Sequence, residues 1–133
     1  MFKFSKNSLD KLATVDERLQ LLANEVLKIS KVDFAITYGL RTQAEQDKLF
    51  ANGKSWNKNS KHLIGKAIDI CPYIRGQIDF GAKFDLFYLV GLFDCKAKEL
   101  GINIRLGAFW YKTSIKQNDI DKKLDGYHIE LLD

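Results

Sequence analysis

Ser60-Lys-His-Leu-Ile-Gly-Lys-Ala-Ile-Asp-Ile-Cys71 is the stretch on which the reading of this chain turns. In its second half Ala67 and Asp69 alternate with Ile68 and Ile70, the period-two pattern of a strand with one apolar face. In its first half the chain is polar, and Gly65 lets the backbone turn closely from loop into strand. Pro72 is expected to stop the strand. The stretch sets His62, one of two histidines in the chain, seven residues before a carboxylate at the mouth of that strand.

Upstream, Phe34, Ile36 and Tyr38 recur at period two, which predicts a strand over 33–38 with those three side chains on one face. Gly39 ends it, and Thr42-Gln-Ala-Glu45 is a capping box that opens a short helix closed by Asn52-Gly53. Arg41 therefore sits on a well-specified turn between strand exit and helix entrance. Further back, Thr14-Val-Asp-Glu17 reads as a second capping box. Val15, Leu19, Leu22, Val26 and Ile29 then form the stripe of an amphipathic helix ending near Ser30.

Downstream, 54–61 is polar loop and 74–78 a tight turn between extended segments. A helix is predicted over 82–100, ended by Gly101. Phe84, Phe87, Tyr88, Val90, Leu92 and Phe93 make it apolar on several sides, as a central core helix would be. Ile102, Ile104 and Leu106 predict another strand, 107–124 a long irregular loop, and 127–132 a last strand with His128, Glu130 and Leu132 on one face. The expected fold class is α+β: a small, mainly antiparallel sheet with helices packed on one side, in a single domain spanning 1–133.

Hydrophobic residues make up 46 % of the 133 and charged residues 29 %, an ordinary balance for one folded domain. The net charge of +4 is spread along the chain, with no reading helix or aromatic-basic stripe, so a nucleic-acid partner is not expected. Cys71 and Cys95 are too few for a disulfide framework, and each lies in an apolar run that predicts a reduced, buried thiol. No apolar stretch follows a basic start, and the run 86–93 is too short to span a bilayer. The expectation is a chain made in the cytoplasm without a secretory signal or membrane insertion.

A hydrolytic zinc site takes about three protein ligands plus an open position for water. His62, Asp69 and His128 supply such a set. On spacing alone they serve equally well as ordinary hydrogen-bonding side chains, because seven residues across a turn is not the helical His-x-x-x-His arrangement. The C-terminal segment adds to the case. Asp125 lies three residues before His128, past a glycine, where a carboxylate can act as general base toward water and then as acid toward a leaving amine. Glu130 shares the face of His128 and is suited to orienting its imidazole. Asp125 is equally at home as a turn residue, and Glu130 as an exposed strand carboxylate.

Ser60-x-His62-x-x-Gly65-x-Ala67-x-Asp69, followed by Asp125-x-x-His128-x-Glu130, resembles the zinc peptidases that cut peptidoglycan stem peptides. That family includes D-alanyl-D-alanine carboxypeptidases, the D-Ala-D-Ala dipeptidases of vancomycin resistance and the L-alanyl-D-glutamate peptidases that serve tailed bacteriophages as endolysins. The likeness runs through Leu12-Ala-Thr-Val15, Gly39-Leu-Arg41-Thr42, Ala51-Asn-Gly53 and 107–110, and is greatest to the phage branch. It implies zinc on His62, Asp69 and His128, with Asp125 as general base and acid. It further implies Arg41 as the donor to the developing oxyanion, Ser60 as a hydrogen-bonding residue near substrate or ligands, and Trp110 on the substrate side. Phe109 departs from the pattern, since relatives often carry Asp before that tryptophan. The resemblance implies an endolysin that is made in the host bacterial cytoplasm and acts on the periplasmic wall after release, and a monomer is expected. Its alternatives are a D-alanyl-D-alanine carboxypeptidase and a non-catalytic cell-wall binding module.

Overall fold

The computed structural model describes residues 1–53, 60–109 and 126–133. It begins with a helix that the apolar pattern does not announce: α1, Lys6–Leu12, capped by the Ser5 hydroxyl, buries only Ser8 and Leu12. The amphipathic stripe forms α2, Glu17–Ile29, which buries Leu19, Leu22, Ala23, Val26 and Leu27. Ile29 is exposed, so the buried stripe ends one turn earlier than its spacing predicts. The cap also differs from expectation. Asp16 accepts from the Arg18 amide, whereas the Thr14 hydroxyl donates to the Lys11 carbonyl and accepts from the Leu40 amide. Thr14 is occupied in joining the end of α1 to the strand exit, which leaves the next acceptor along to cap α2.

The strands are β1 (Phe34–Tyr38), β2 (Ala67–Ile74), β3 (Gln77–Ile78), β4 (Ile104–Leu106) and β5 (His128–Leu131). They form an antiparallel sheet in the order β1-β2-β5-β4, with β3 folded back on β2. The β2–β3 turn places Arg75 at φ +53° and Gly76 at φ +79°, the two left-handed residues of a tight hairpin. Ser8 reaches from α1 to accept the amide of Ile36 at 3.0 Å.

Pro72 does not stop β2, which continues to Ile74. The Ile70 amide bonds the Tyr127 carbonyl on the β5 side, and the Tyr73 amide bonds the Asp33 carbonyl on the β1 side. By alternation, the amide that Pro72 lacks belongs to the β5 side, and the β2–β5 ladder covers only Ala67, Ile68 and Asp69. On that side Pro72 meets the chain following β3 through its carbonyl, which accepts the Asp79 amide at 3.0 Å, so the pairing continues without the amide that proline lacks.

Phe34, Ile36, Ile68, Ile70, Ile129 and Leu131 make up the apolar face of the sheet. Leu12, the buried side chains of α2 and those of α4 (Lys83–Leu100) cover it. Each fully buried Leu, Ile or Phe there contributes roughly 1.5–3 kcal/mol, so this face carries the fold's stability. On α4 burial is confined to Leu86, Leu89, Val90, Phe93 and Ala97, and Phe84 is 92 % exposed. The helix is therefore one-sided and not central, because the sheet offers it a single face. Cys95 lies on its outer side and is exposed, contrary to expectation; Cys71 is buried, and burial pushes its thiol up to about 11. Gly101 closes α4 at φ +71°. Among the described residues, no helix is long and apolar enough to cross a membrane.

Candidate metal centre

The polar face of the sheet is set by one irregularity. Ile36 pairs with Ile70 and Tyr38 with Asp69, so Thr37 is an extra residue in β1. Because side chains alternate, this bulge moves Tyr38 off the face of Phe34 and Ile36 and onto that of Asp69. The predicted alternation put all three together; no feature of the sequence marks the bulge. On its new side Tyr38 lies beneath the Arg41 guanidinium, 4.4 Å from ring centroid to Cζ, and its ring makes a T-shaped pair with that of His62.

His62 is carried by a 3-10 turn, Lys61–Ile64. The Ser60 hydroxyl caps that turn by accepting the His62 amide at 3.2 Å, and Gly65 closes it at φ +68°. The Gly65 carbonyl accepts the Asp16 amide, and the His62 carbonyl accepts the Arg41 amide, both at 2.9 Å. Asp69 and His128 are cross-strand partners of β2 and β5, which brings them side by side above the sheet. One ligand atom from each of His62, Asp69 and His128 lies within 4.8 Å of the others. His62 Nε2 is 3.0 Å and His128 Nδ1 3.2 Å from the same oxygen, Asp69 Oδ1.

The outer nitrogens decide what this cluster wants. His62 Nδ1 is 2.8 Å from the Gly39 carbonyl, and His128 Nε2 is 2.9 Å from Glu130 Oε1. Both partners are acceptors, so each of those nitrogens carries its proton. In neutral rings the two inner nitrogens then present lone pairs to a carboxylate at about 3 Å, an arrangement that repels unless positive charge lies among them. Protons on both rings relieve it, and so does a cation. Burial alone raises the Asp69 carboxyl, but the hydrogen bonds from His128 and His62 and their charge outweigh it and hold it well below the usual carboxylate range. Burial likewise raises Glu130, and the His128 bond together with the charges of His128, Lys61 and Arg105 brings it down. Two imidazoles and a carboxylate, each imidazole braced at its far nitrogen by an oxygen acceptor, suit a divalent ion such as zinc.

Arg41 is only 6 % exposed. Its Nη1 donates to Gln46 Oε1 at 2.7 Å, its Nη2 lies 3.7 Å from Asp69 Oδ2, and its Nε has no hydrogen-bond partner among the described residues. Gln46 is the one buried residue of α3 (Gln43–Ala51), whose Thr42–Glu45 capping box forms as predicted. Thus Ser60, Arg41 and Glu130 lie around the cluster, while Asp125 and Trp110 lie outside the described residues. The roles of Tyr38, Gln46 and the Gly39 carbonyl escaped the sequence reading. Gln46 left a signal, a glutamine one turn into a helix whose start was fixed beside Arg41. A backbone carbonyl leaves none.

Gly39 itself is required by crowding. A Cβ there would lie 2.4 Å from the Lys11 carbonyl oxygen and 2.7 Å from Thr14 Oγ1. Gly39→Ala is expected to destabilise the protein by about 1–3 kcal/mol in denaturant unfolding and to weaken the cluster's hold on any added divalent ion as the carbonyl braced on His62 shifts. Gly91→Ala, where a Cβ meets nothing within 4 Å, is the control and should do neither.

Comparison with known proteins bears out the fold and gives the family. A curated relative, the L-alanyl-D-glutamate peptidase of Escherichia phage T5, is 42 % identical over 135 residues, covering 98 % of each chain. The crystal structure of the Serratia marcescens L-Ala D-Glu endopeptidase ChiX superposes with a TM-score of 0.80 at 25 % identity, covering 98 % of this chain and 90 % of that one. The profile of the family described as phage L-alanyl-D-glutamate peptidase matches residues 1–132, and the chain belongs to that family.

Proposed function

We propose that this chain is a zinc endopeptidase that hydrolyses the L-alanyl-D-glutamate bond of the peptidoglycan stem peptide, with 1–133 forming one catalytic domain. The observation that carries this is the convergence of His62 Nε2, Asp69 and His128 Nδ1 with lone pairs directed inward. The family membership and the names of the T5 and Serratia relatives support the choice of bond.

In this reading His62, Asp69 and His128 hold the ion. Zinc so held supplies Lewis-acid polarisation of the scissile carbonyl and activation of water. Asp125 accepts a proton from the water as it adds to the carbonyl carbon, then delivers that proton to the amine nitrogen as the C–N bond breaks. Arg41 places a charged donor toward the carbonyl oxygen as negative charge collects there, and the Tyr38 ring and Gln46 amide hold its plane. Glu130 fixes the His128 tautomer, Ser60 secures the turn that presents His62, and Trp110 belongs to the substrate side. The partner is the stem peptide of the bacterial wall, reached after release from the host cytoplasm where the chain is made. Neither nucleic acid nor membrane insertion has a part in this reading, and the working unit is a monomer.

Digesting purified peptidoglycan with and without a chelator, followed by mass spectrometry of the fragments, tests the proposal. New N-terminal D-glutamate that disappears with the chelator is the expected result. Released D-alanine would identify a D-alanyl-D-alanine carboxypeptidase instead, and binding without any new terminus a non-catalytic wall module.

A further inference from the structure

The three inward-facing atoms come from segments of unequal rigidity. Asp69 and His128 belong to paired strands, whereas His62 rides on a four-residue turn. That turn is tied to β5 by the residue beside the histidine. Lys61 Nζ donates to the Leu131 carbonyl and lies 3.7 Å from Glu130 Oε2. The other oxygen of the same carboxylate, Oε1, is the one bonded to His128 Nε2. One lysine thus reaches from the segment carrying the first histidine to the carboxylate that braces the second. The backbone supports the reach, since Lys66 N bonds the Lys61 carbonyl and Leu131 N bonds the Lys66 carbonyl.

We propose that Lys61 is a positioning residue that sets zinc affinity by holding Glu130 against His128 and the His62 turn against β5. The inference rests on the metal reading given above. Glu130 is 8 % exposed, and a side chain so buried keeps its orientation through the groups that hold its oxygens. Its cross-strand partner Arg105 lies on the exposed margin of β4. Lys61, with 29 % of its side chain exposed, is the cation that also holds the turn. Removing it frees Oε2 to rotate, loosens the grip of Oε1 on the imidazole proton, and releases the turn at once. Outer partners of metal-ligating histidines typically account for about 10–100-fold in metal affinity.

The test is the zinc dissociation constant, measured by competition with a chromophoric chelator on folded, metal-free protein. Lys61→Met is expected to weaken zinc about 10–100-fold, and Lys61→Arg, which keeps the charge and a donor, to restore most of it. Glu130→Gln should weaken zinc comparably, and the double variant should lose little more than either single one, because both act on the same imidazole. Lys98→Met, on the far surface of α4, should match wild type. Wild-type affinity in folded Lys61→Met, or fully additive losses in the double variant, overturns the proposal. If Lys61→Met does not fold, wild-type affinity in Glu130→Gln overturns it alone. A wild-type protein that binds no zinc refutes the metal reading beneath it, a result distinct from either.

Discussion

His128→Ala is expected to yield a folded protein that retains no zinc through dialysis and releases no new termini from peptidoglycan. The substitution removes one of the three proposed ligands and leaves Asp69 and His62 alone, too few to hold a catalytic ion at ordinary free zinc levels. The fold should survive, because β5 is held by its ladder to β2 and β4 and by Ile129 and Leu131 on the opposite face. Melting curves provide a reading independent of activity. Zinc at a thousand times its dissociation constant stabilises a native state by about 4 kcal/mol, so the wild-type midpoint should rise with zinc and fall with chelator. The His128→Ala midpoint should respond to neither. Stoichiometric zinc and normal digestion in that variant would sink the assignment.

Asp125→Ala is expected to separate chemistry from metal binding. A positioned general acid–base residue is worth about 10²–10⁴-fold in rate, and the loss should fall on kcat. The zinc dissociation constant should stay at its wild-type value, since in the proposed mechanism the carboxylate moves a proton and does not ligate. Paired measurement of turnover and zinc affinity decides the matter. If zinc is lost together with the rate, Asp125 is a ligand; if neither changes, the base lies elsewhere.

The sequence made much of this legible because the site is built from patterned elements. Alternation in Ala67-Ile-Asp-Ile-Cys71 put Asp69 on the face away from the core, and alternation in 127–132 did the same for His128 and Glu130. The Thr42 capping box fixed the turn that bears Arg41. The failures share a cause, namely tertiary competition for a local group. Thr14 carries the right residue type for an N-cap, yet its hydroxyl is claimed by Lys11 and Leu40. Tyr38 has the right parity for the core, yet a one-residue bulge reverses it. Pro72 is a strand breaker only where pairing depends on its amide, and here its carbonyl and the neighbouring amides carry the pairing. Phe84 and Cys95 look interior from composition, but α4 has a sheet on one side only.

The hydroxyl of Ser8 on the Ile36 amide has a consequence for how copies of this protein meet one another. Among the described residues β1 is the outermost strand on its side of the sheet, and an unpaired amide on such an edge is a template for strand addition and aggregation. At Ile36 that position is already filled from within the chain, by a buried side chain that another molecule must displace before it can pair. A seven-residue helix with only two leucines thereby guards the sheet against intermolecular growth.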